Sequence, residues 1–230
     1  VVKDSAGNEG RASDNGTIDT TAPVITVDAP DNTSDNTPLI SGTTDAPAGS
    51  IVSITVTDSQ GSVQMVSASV GADGRYSVEV PKALAEGRYT AEAAVKDPAG
   101  NEGKASDNGS VDTTAAITVE APDLSNDNTP TLTGTTTDVE EGQTVTLTVT
   151  DSRGGSQVVT ATVQADGSYQ AEVPSALPDG RYSVEAVVSD KAGNRAEARD
   201  DNNGKGNVID TTAPVITVDA PDNTSDNTPL

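Results

Sequence analysis

The sequence predicts an all-β chain made of repeated β-sandwiches, and three observations carry that prediction. Apolar residues alternate with Thr, Ser and charged residues in one short run after another, the period-two pattern of strands with one buried face. Turn signals such as Asp-Gly and Asp-Asn-Thr-Pro separate the runs at intervals of roughly 8–12 residues, the spacing of an all-β sandwich. The sequence also repeats itself. Asp4, Asp97 and Asp190 stand 93 residues apart, as do Asn8, Asn101 and Asn194, Tyr76 and Tyr169, and Tyr89 and Tyr182. A period of that length makes each repeat a domain rather than a turn of a solenoid.

The repeat fixes the expected domain boundaries. Two complete units run from 22 to 114 and from 115 to 212. Residues 1–21 read as the end of a preceding unit and 213–230 as the start of the next one. Five residues are inserted near Asp200–Gly204, so Asp112 and Asp210 are 98 apart rather than 93.

Within the first unit, Ile25 and Val27 alternate with Thr26 and Asp28 in a first strand, and Ile40 and Gly42 mark a second. Val52, Ile54 and Val56 make a third, Val66, Ala68 and Val70 a fourth, and Tyr76, Val78 and Val80 a fifth. Tyr89, Ala91, Ala93 and Val95 make a sixth, and a short seventh ends at Val111. The second unit repeats the scheme with Val145, Leu147, Val149, Tyr169 and Tyr182 among the inward positions. Val and Thr suit a pleated, half-solvated surface. Ala72-Asp73-Gly74 and Ala165-Asp166-Gly167 are hairpin turns. Pro81 to Gly87 is the one place where a short helical turn is expected. Tyr89 and Tyr182 begin a strand after a tight corner, where immunoglobulin-like sandwiches carry a tyrosine corner.

Composition excludes several functions. With 36 acidic and 13 basic side chains the net charge is −23, the wrong sign for nucleic-acid phosphates or an anionic membrane surface. Cys and His are absent, which removes disulfides, the usual ligands for Zn²⁺, copper and haem, and the common nucleophile–base pairs of enzymes. The acids sit in turns repeated with every unit, and four tyrosines are the only aromatics. The chain is therefore expected not to be an enzyme. Each core must be built from small aliphatic side chains.

The Ser-Asp-Asn-Thr-Pro turn at 34–38, the Gly-x-Tyr strand start, the Asp-x-Ala-Gly-Asn loop and Asp-Thr-Thr-Ala-Pro at 19–23 together resemble the bacterial immunoglobulin-like extender repeats of giant RTX-type, type I-secreted biofilm adhesins. The resemblance covers the whole chain. It implies tandem immunoglobulin-like β-sandwich domains of about seven strands each in an elongated array, forming an extracellular stalk on the bacterial cell surface. It further implies Ca²⁺ at the junctions and neighbouring repeats of the same chain as the main partners. This sequence departs from the pattern where Asp-Thr-Thr-Ala-Ala replaces Asp-Thr-Thr-Ala-Pro at 112–116, and in the rewritten loop at 192–206.

Strand order gives a second argument for cation binding. In a seven-stranded sandwich the loops after the second, fourth and sixth strands share the pole where the chain enters. Asp19 should therefore face Asp97 and Asn101, and Asp112 should face Asp190 and Asn194. Asp4 with Asn8, and Asp210, are the partial copies at the two ends. Asp45, Asp138, Asp73 and Asp166 belong to the same pole, while Asp31, Asp35, Asp123 and Asp127 lie at the other. Gathered carboxylates repel unless a cation intervenes, and Ca²⁺ takes about six to eight oxygen ligands. Each of these aspartates also suits a turn in its own right. The loop Asp200–Gly206 lacks EF-hand spacing and is an acidic surface loop. The expected function is a Ca²⁺-rigidified structural extender. A ligand-binding adhesin module, for carbohydrate or protein, is the alternative.

Overall fold

The computed structural model describes residues 1–219; the expected start of a further repeat at 213–230 lies partly outside the described residues. The chain divides into two compact units, Val1–Thr113 and Thr114–Leu230.

The first unit opens with a small hairpin of β1 (Val2–Lys3) and β2 (Glu9–Gly10). Its sandwich comprises β3 (Leu39–Thr43), β4 (Ile51–Thr57), β5 (Val63–Ser69), β6 (Arg75–Glu79), β7 (Gly87–Lys96) and β8 (Glu102–Val111). β3 pairs with β6 in one sheet, and the other sheet runs in the order β5-β4-β7-β8. Inward residues of both sheets, including Ile40, Val52, Ile54, Val56, Tyr76, Tyr89, Ala91 and Val95, form one core. That shared core is the sandwich that the alternation predicts. Burying each such aliphatic side chain contributes about 1.5–3 kcal/mol.

The first predicted strand is not a continuous strand in this unit. Ile25 and Asp28 make isolated bridges to Thr44 and Ser41 of the β3 region. The chain then crosses to the other sheet: the Ala29 amide donates to Asp107 Oδ2 at 2.9 Å, and Thr33 bridges Val111 in parallel. This change of partner sheet divides the strand. The seventh strand is the opposite case. β8 is ten residues long and pairs with β7 along its whole length. Its inward positions are Gly103, Ala105, Asp107, Gly109 and Val111, so an apolar alternation is nearly invisible in the sequence. The glycines are required by close approach: a Cβ on Gly103 would sit 2.1 Å from the Pro23 carbonyl oxygen.

The second unit contains β9 (Ala116–Ile117), β10 (Leu124–Ser125), β11 (Thr131–Thr137), β12 (Thr144–Asp151), β13 (Ser156–Thr162), β14 (Ser168–Glu172), β15 (Gly180–Ser189), β16 (Arg195–Asp200) and β17 (Asn207–Ile209). One sheet is β14-β11-β9. The other runs β10-β17-β15-β12-β13, with β16 also paired to β15. The five-residue insertion splits the last strand into β16 and β17. It closes as a tight loop with left-handed backbone at Asn202, Asn203, Gly204 and Gly206. Among the described residues there is no helix; the short turn expected between Pro81 and Gly87 is a set of bends instead.

Candidate cation sites and linker anchors

The Asp-x-Ala-Gly-Asn loop has one geometry in all three copies. Asp97 Oδ1 accepts the Asn101 amide at 2.9 Å, and Oδ2 accepts Asn101 Nδ2 at 2.8 Å. Asp4 with Asn8, and Asp190 with Asn194, make the same two bonds at 2.8–2.9 Å. The aspartate therefore acts first as a clasp that closes its own loop, a bond set that holds even in the isolated β1–β2 hairpin. Hydrogen bonding from the asparagine draws the carboxyls of Asp4 and Asp97 below the ordinary carboxylate range. Asp190 is buried, at 6% exposure.

At the leading pole of the first unit the structure joins one expected pair, Asn101 and the Asp19 backbone. Asn101 Nδ2 also donates to the Asp19 carbonyl oxygen at 3.2 Å, which ties the incoming chain to the loop after β7. The Val24 amide donates to Asp45 Oδ1 at 2.8 Å, and the Thr44 amide to the Gly74 carbonyl. Asp73 caps its own turn through the Arg75 amide. In the second unit Asp138 accepts from Thr114 Oγ1 at 3.3 Å, and Asp166 from Ser168. Asp19 and Asp210 each accept the amide two residues on, at Thr21 and Thr212. The Asp112 amide donates to the Thr33 carbonyl. At the other pole, Asp35 and Asp127 cap the turns at Thr37 and Thr129.

This donor set suits Ca²⁺ in kind, because every candidate offers hard carboxylate, carbonyl or amide oxygen. It is sparse in charge: among the described residues no three acidic side chains stand close enough to hold an ion together. What the geometry brings together is a clasped Asp-Asn pair beside the Asp19 backbone. Asp45 and Asp73 serve neighbouring turns at the same pole.

The linker threonines are anchored by residues that the sequence did not single out. Thr113 donates through its amide and its hydroxyl to the Glu86 carboxylate, the hydroxyl bond being 2.6 Å. Thr211 and Thr212 make the corresponding bonds to Asp179, with hydroxyl distances of 2.7 and 3.0 Å. The detectable signal was an acid in the same corner of both units, Glu86-Gly87-Arg88-Tyr89 and Asp179-Gly180-Arg181-Tyr182.

The four tyrosines hold the first segment of each unit. Tyr89 Oη donates to the Pro30 carbonyl at 3.1 Å, and Tyr182 Oη to Pro122 at 2.9 Å. An immunoglobulin tyrosine corner bonds back only a few residues upstream. Here the hydroxyl instead spans about sixty residues to the opening segment, because that segment crosses directly over the corner. Tyr76 and Tyr169 add equivalent bonds to Thr26 and Thr118. Desolvation pushes Tyr76, Tyr169 and Tyr182 up to about 12, and Tyr89 further.

Comparison with solved structures gives likenesses to repeats of large adhesins. The chain is 38% identical to a tetra-tandem repeat in the extending region of a large adhesion protein, covering 84% of this chain and 50% of that one, with a TM-score of 0.44. It is 28% identical to a Ca²⁺-stabilized adhesin that helps an Antarctic bacterium reach out and bind ice, covering 92% and 56%, with a TM-score of 0.46. A 1.5-MDa bacterial ice-binding adhesin matches at 19% identity over 79% and 64%, with a TM-score of 0.44. The chain thus spans between half and two thirds of the length of these structures. Comparison with curated proteins gave no match. Two successive stretches of the sequence, 25–113 and 118–211, match the bacterial Ig-like domain, and the chain belongs to that family.

Proposed function

We propose that this chain is a structural extender: a non-enzymatic stalk segment of a bacterial surface adhesin that holds a distal binding region away from the cell. The observation that carries the reading is the anchoring of the linker. Thr113 is hydrogen-bonded into its own unit through Glu86, and Thr114 into its own unit through Asp138. Each of these consecutive residues is thus hydrogen-bonded within its own unit. A flexible tether would be built the other way, with unanchored Gly and Ser. The same anchoring recurs at Asp179 with Thr211 and Thr212, which fits a module made to be joined in series.

Calcium is the second part of the proposal. Asp19, Asp97 and Asn101 would hold it at the first unit. By the repeat, Asp112, Asp190 and Asn194 would hold it at the second, and Asp4, Asn8 and Asp210 in the flanking copies. With few carboxylates per site, the affinity belongs to the extracellular class of about 10⁻⁴–10⁻³ M. At about 100-fold excess over Kd, each ion adds about 2.7 kcal/mol to the folded state. A cell-surface location and neighbouring repeats as partners belong to this reading, and the Ca²⁺ stabilization stated for the Antarctic adhesin supports it. Calorimetric unfolding of the whole chain in millimolar Ca²⁺ and in chelator tests it. The transition is expected to rise with Ca²⁺ and to lose that rise in Asp97→Asn combined with Asp190→Asn. Superimposable traces in the two buffers would remove calcium from the account.

A further inference from the structure

The dipeptide Asn-Gly occurs three times, at 15–16, 108–109 and 203–204. Glycine has no Cβ to shield its amide nitrogen, so that nitrogen can attack the carbonyl carbon of the preceding asparagine side chain. A bond forms from the glycine nitrogen to Cγ, the Cγ–Nδ2 bond breaks, and the amide leaves as ammonia. The proton lost from the glycine nitrogen passes to a base, and the departing nitrogen takes one up. Water then opens the five-membered imide at either carbonyl, leaving aspartate or its β-linked isomer. Water enters and ammonia leaves, with no oxidant or reductant. The attack requires the asparagine backbone and side chain to rotate together, so the fold decides which dipeptide reacts.

The three sites are held differently. Asn108 lies in β8, opposite Thr90, and its Oδ1 accepts the Thr90 hydroxyl at 2.9 Å. Gly109 is boxed in: a Cβ there would meet Tyr89 Cζ at 2.4 Å and the Pro30 oxygen at 2.5 Å. The same four residues, Ser-Asp-Asn-Gly, recur at 13–16, exposed and outside any strand, with nothing within 4 Å of the Gly16 Cβ position. Asn203 is exposed in the insertion loop, at φ 56°, and the Gly204 Cβ position is equally open. The Gly204 amide donates to Asp201 Oδ1 at 2.8 Å, so a carboxylate already sits on the proton that must leave.

We propose that Asn203 is a self-modifying position, converted through a Gly204 imide to aspartate or isoaspartate with Asp201 as proton acceptor, while β8 blocks the same reaction at Asn108. The product places a third carboxylate beside Asp200 and Asp201, in a loop that the first unit lacks. The insertion thereby gains charge with age.

The test is peptide mass spectrometry of the intact chain after ageing in mildly alkaline buffer, with isoaspartate resolved by elution position. Asn15 and Asn203 are expected to convert. Asn108 should react at least about tenfold more slowly than Asn15, since its reaction waits on local opening of the β7–β8 pairing. In concentrated urea Asn15 and Asn108 share the same local sequence and should converge. Asp201→Asn should slow conversion at Asn203 several-fold and leave Asn15 unchanged. Native Asn203 as slow as Asn108 would overturn the proposal, and so would Asn203 conversion untouched by Asp201→Asn. Equal native rates at Asn15 and Asn108 would overturn the protection assigned to β8.

Discussion

Gly109 offers the sharpest perturbation of the fold, because one methyl group tests how the opening segment is clamped. It lies opposite Tyr89 in the β7–β8 ladder, beneath a ring that is 2% exposed. In Gly109→Ala the new Cβ would stand 2.4 Å from Tyr89 Cζ and 2.5 Å from both Tyr89 Oη and the Pro30 oxygen. Ordinary carbon contacts lie at about 3.5–4.0 Å, so these atoms must move by more than about 1 Å. Pro30 cannot yield freely, since its carbonyl also accepts the Ser110 amide. Overpacking of this kind costs about 1–3 kcal/mol, and losing the Tyr89–Pro30 bond adds about 1 kcal/mol. Removing a glycine from the unfolded chain returns about 0.4–1 kcal/mol. The net destabilisation is about 2 kcal/mol. At about 4–8 °C per kcal/mol for a domain of this size, the first unit's calorimetric transition should fall by about 8–16 °C. Gly16→Ala, with open space at its Cβ position, serves as the control and should not shift it. A fall below about 3 °C for Gly109→Ala would refute the clamp.

Three further outcomes follow from the same geometry. In the second unit Asn207 occupies the corresponding place opposite Tyr182, fully buried, with neither side-chain polar atom hydrogen-bonded. Asn207→Gly should therefore stabilise that unit by about 1 kcal/mol or more, read as a higher denaturant midpoint at unchanged slope. Asp179→Ala should free Thr211 and Thr212 without unfolding the sandwich, visible as lowered backbone order parameters confined to 210–213. The tyrosines give a pH dependence. Their folded-state pKa lies above the ordinary 10.0, at about 12 for Tyr76, Tyr169 and Tyr182, so their contribution is complete below pH 10.0 and is lost as pH rises toward 12. Alkaline unfolding should track phenolate absorbance, and it should be delayed in Tyr76→Phe combined with Tyr169→Phe.

Strand existence was legible wherever inward positions are large and apolar, as at Val52, Ile54 and Val56, because burial on one face imposes period two. The seventh strand was expected, but its ten-residue length as β8 was not legible, because Gly103 and Gly109 are inward where the opening segment passes too close for any side chain. Nor was the broken first strand, since Ile25 and Val27 alternate properly yet the chain changes sheets at Pro30. Strand order placed Asn101 beside the chain at Asp19, and the Asn101–Asp19 hydrogen bond is found there. The clasp role of Asp97 was not legible, because Asp-x-Ala-Gly-Asn reads equally as a turn and as a ligand set. Glu86 and Asp179 were missed for a related reason: an exposed acid on a corner is ordinary until its partner, a linker threonine, is seen.

If cation binding stiffens the array of anchored modules, small-angle scattering on this chain will show it. Profiles taken in millimolar Ca²⁺ should show a longer maximum dimension and less flexibility than profiles in excess chelator, and Asp112→Asn with Asp190→Asn should abolish the difference. Identical profiles with and without Ca²⁺ would contradict cation stiffening and leave the acidic turns as clasps and solubilising charge alone.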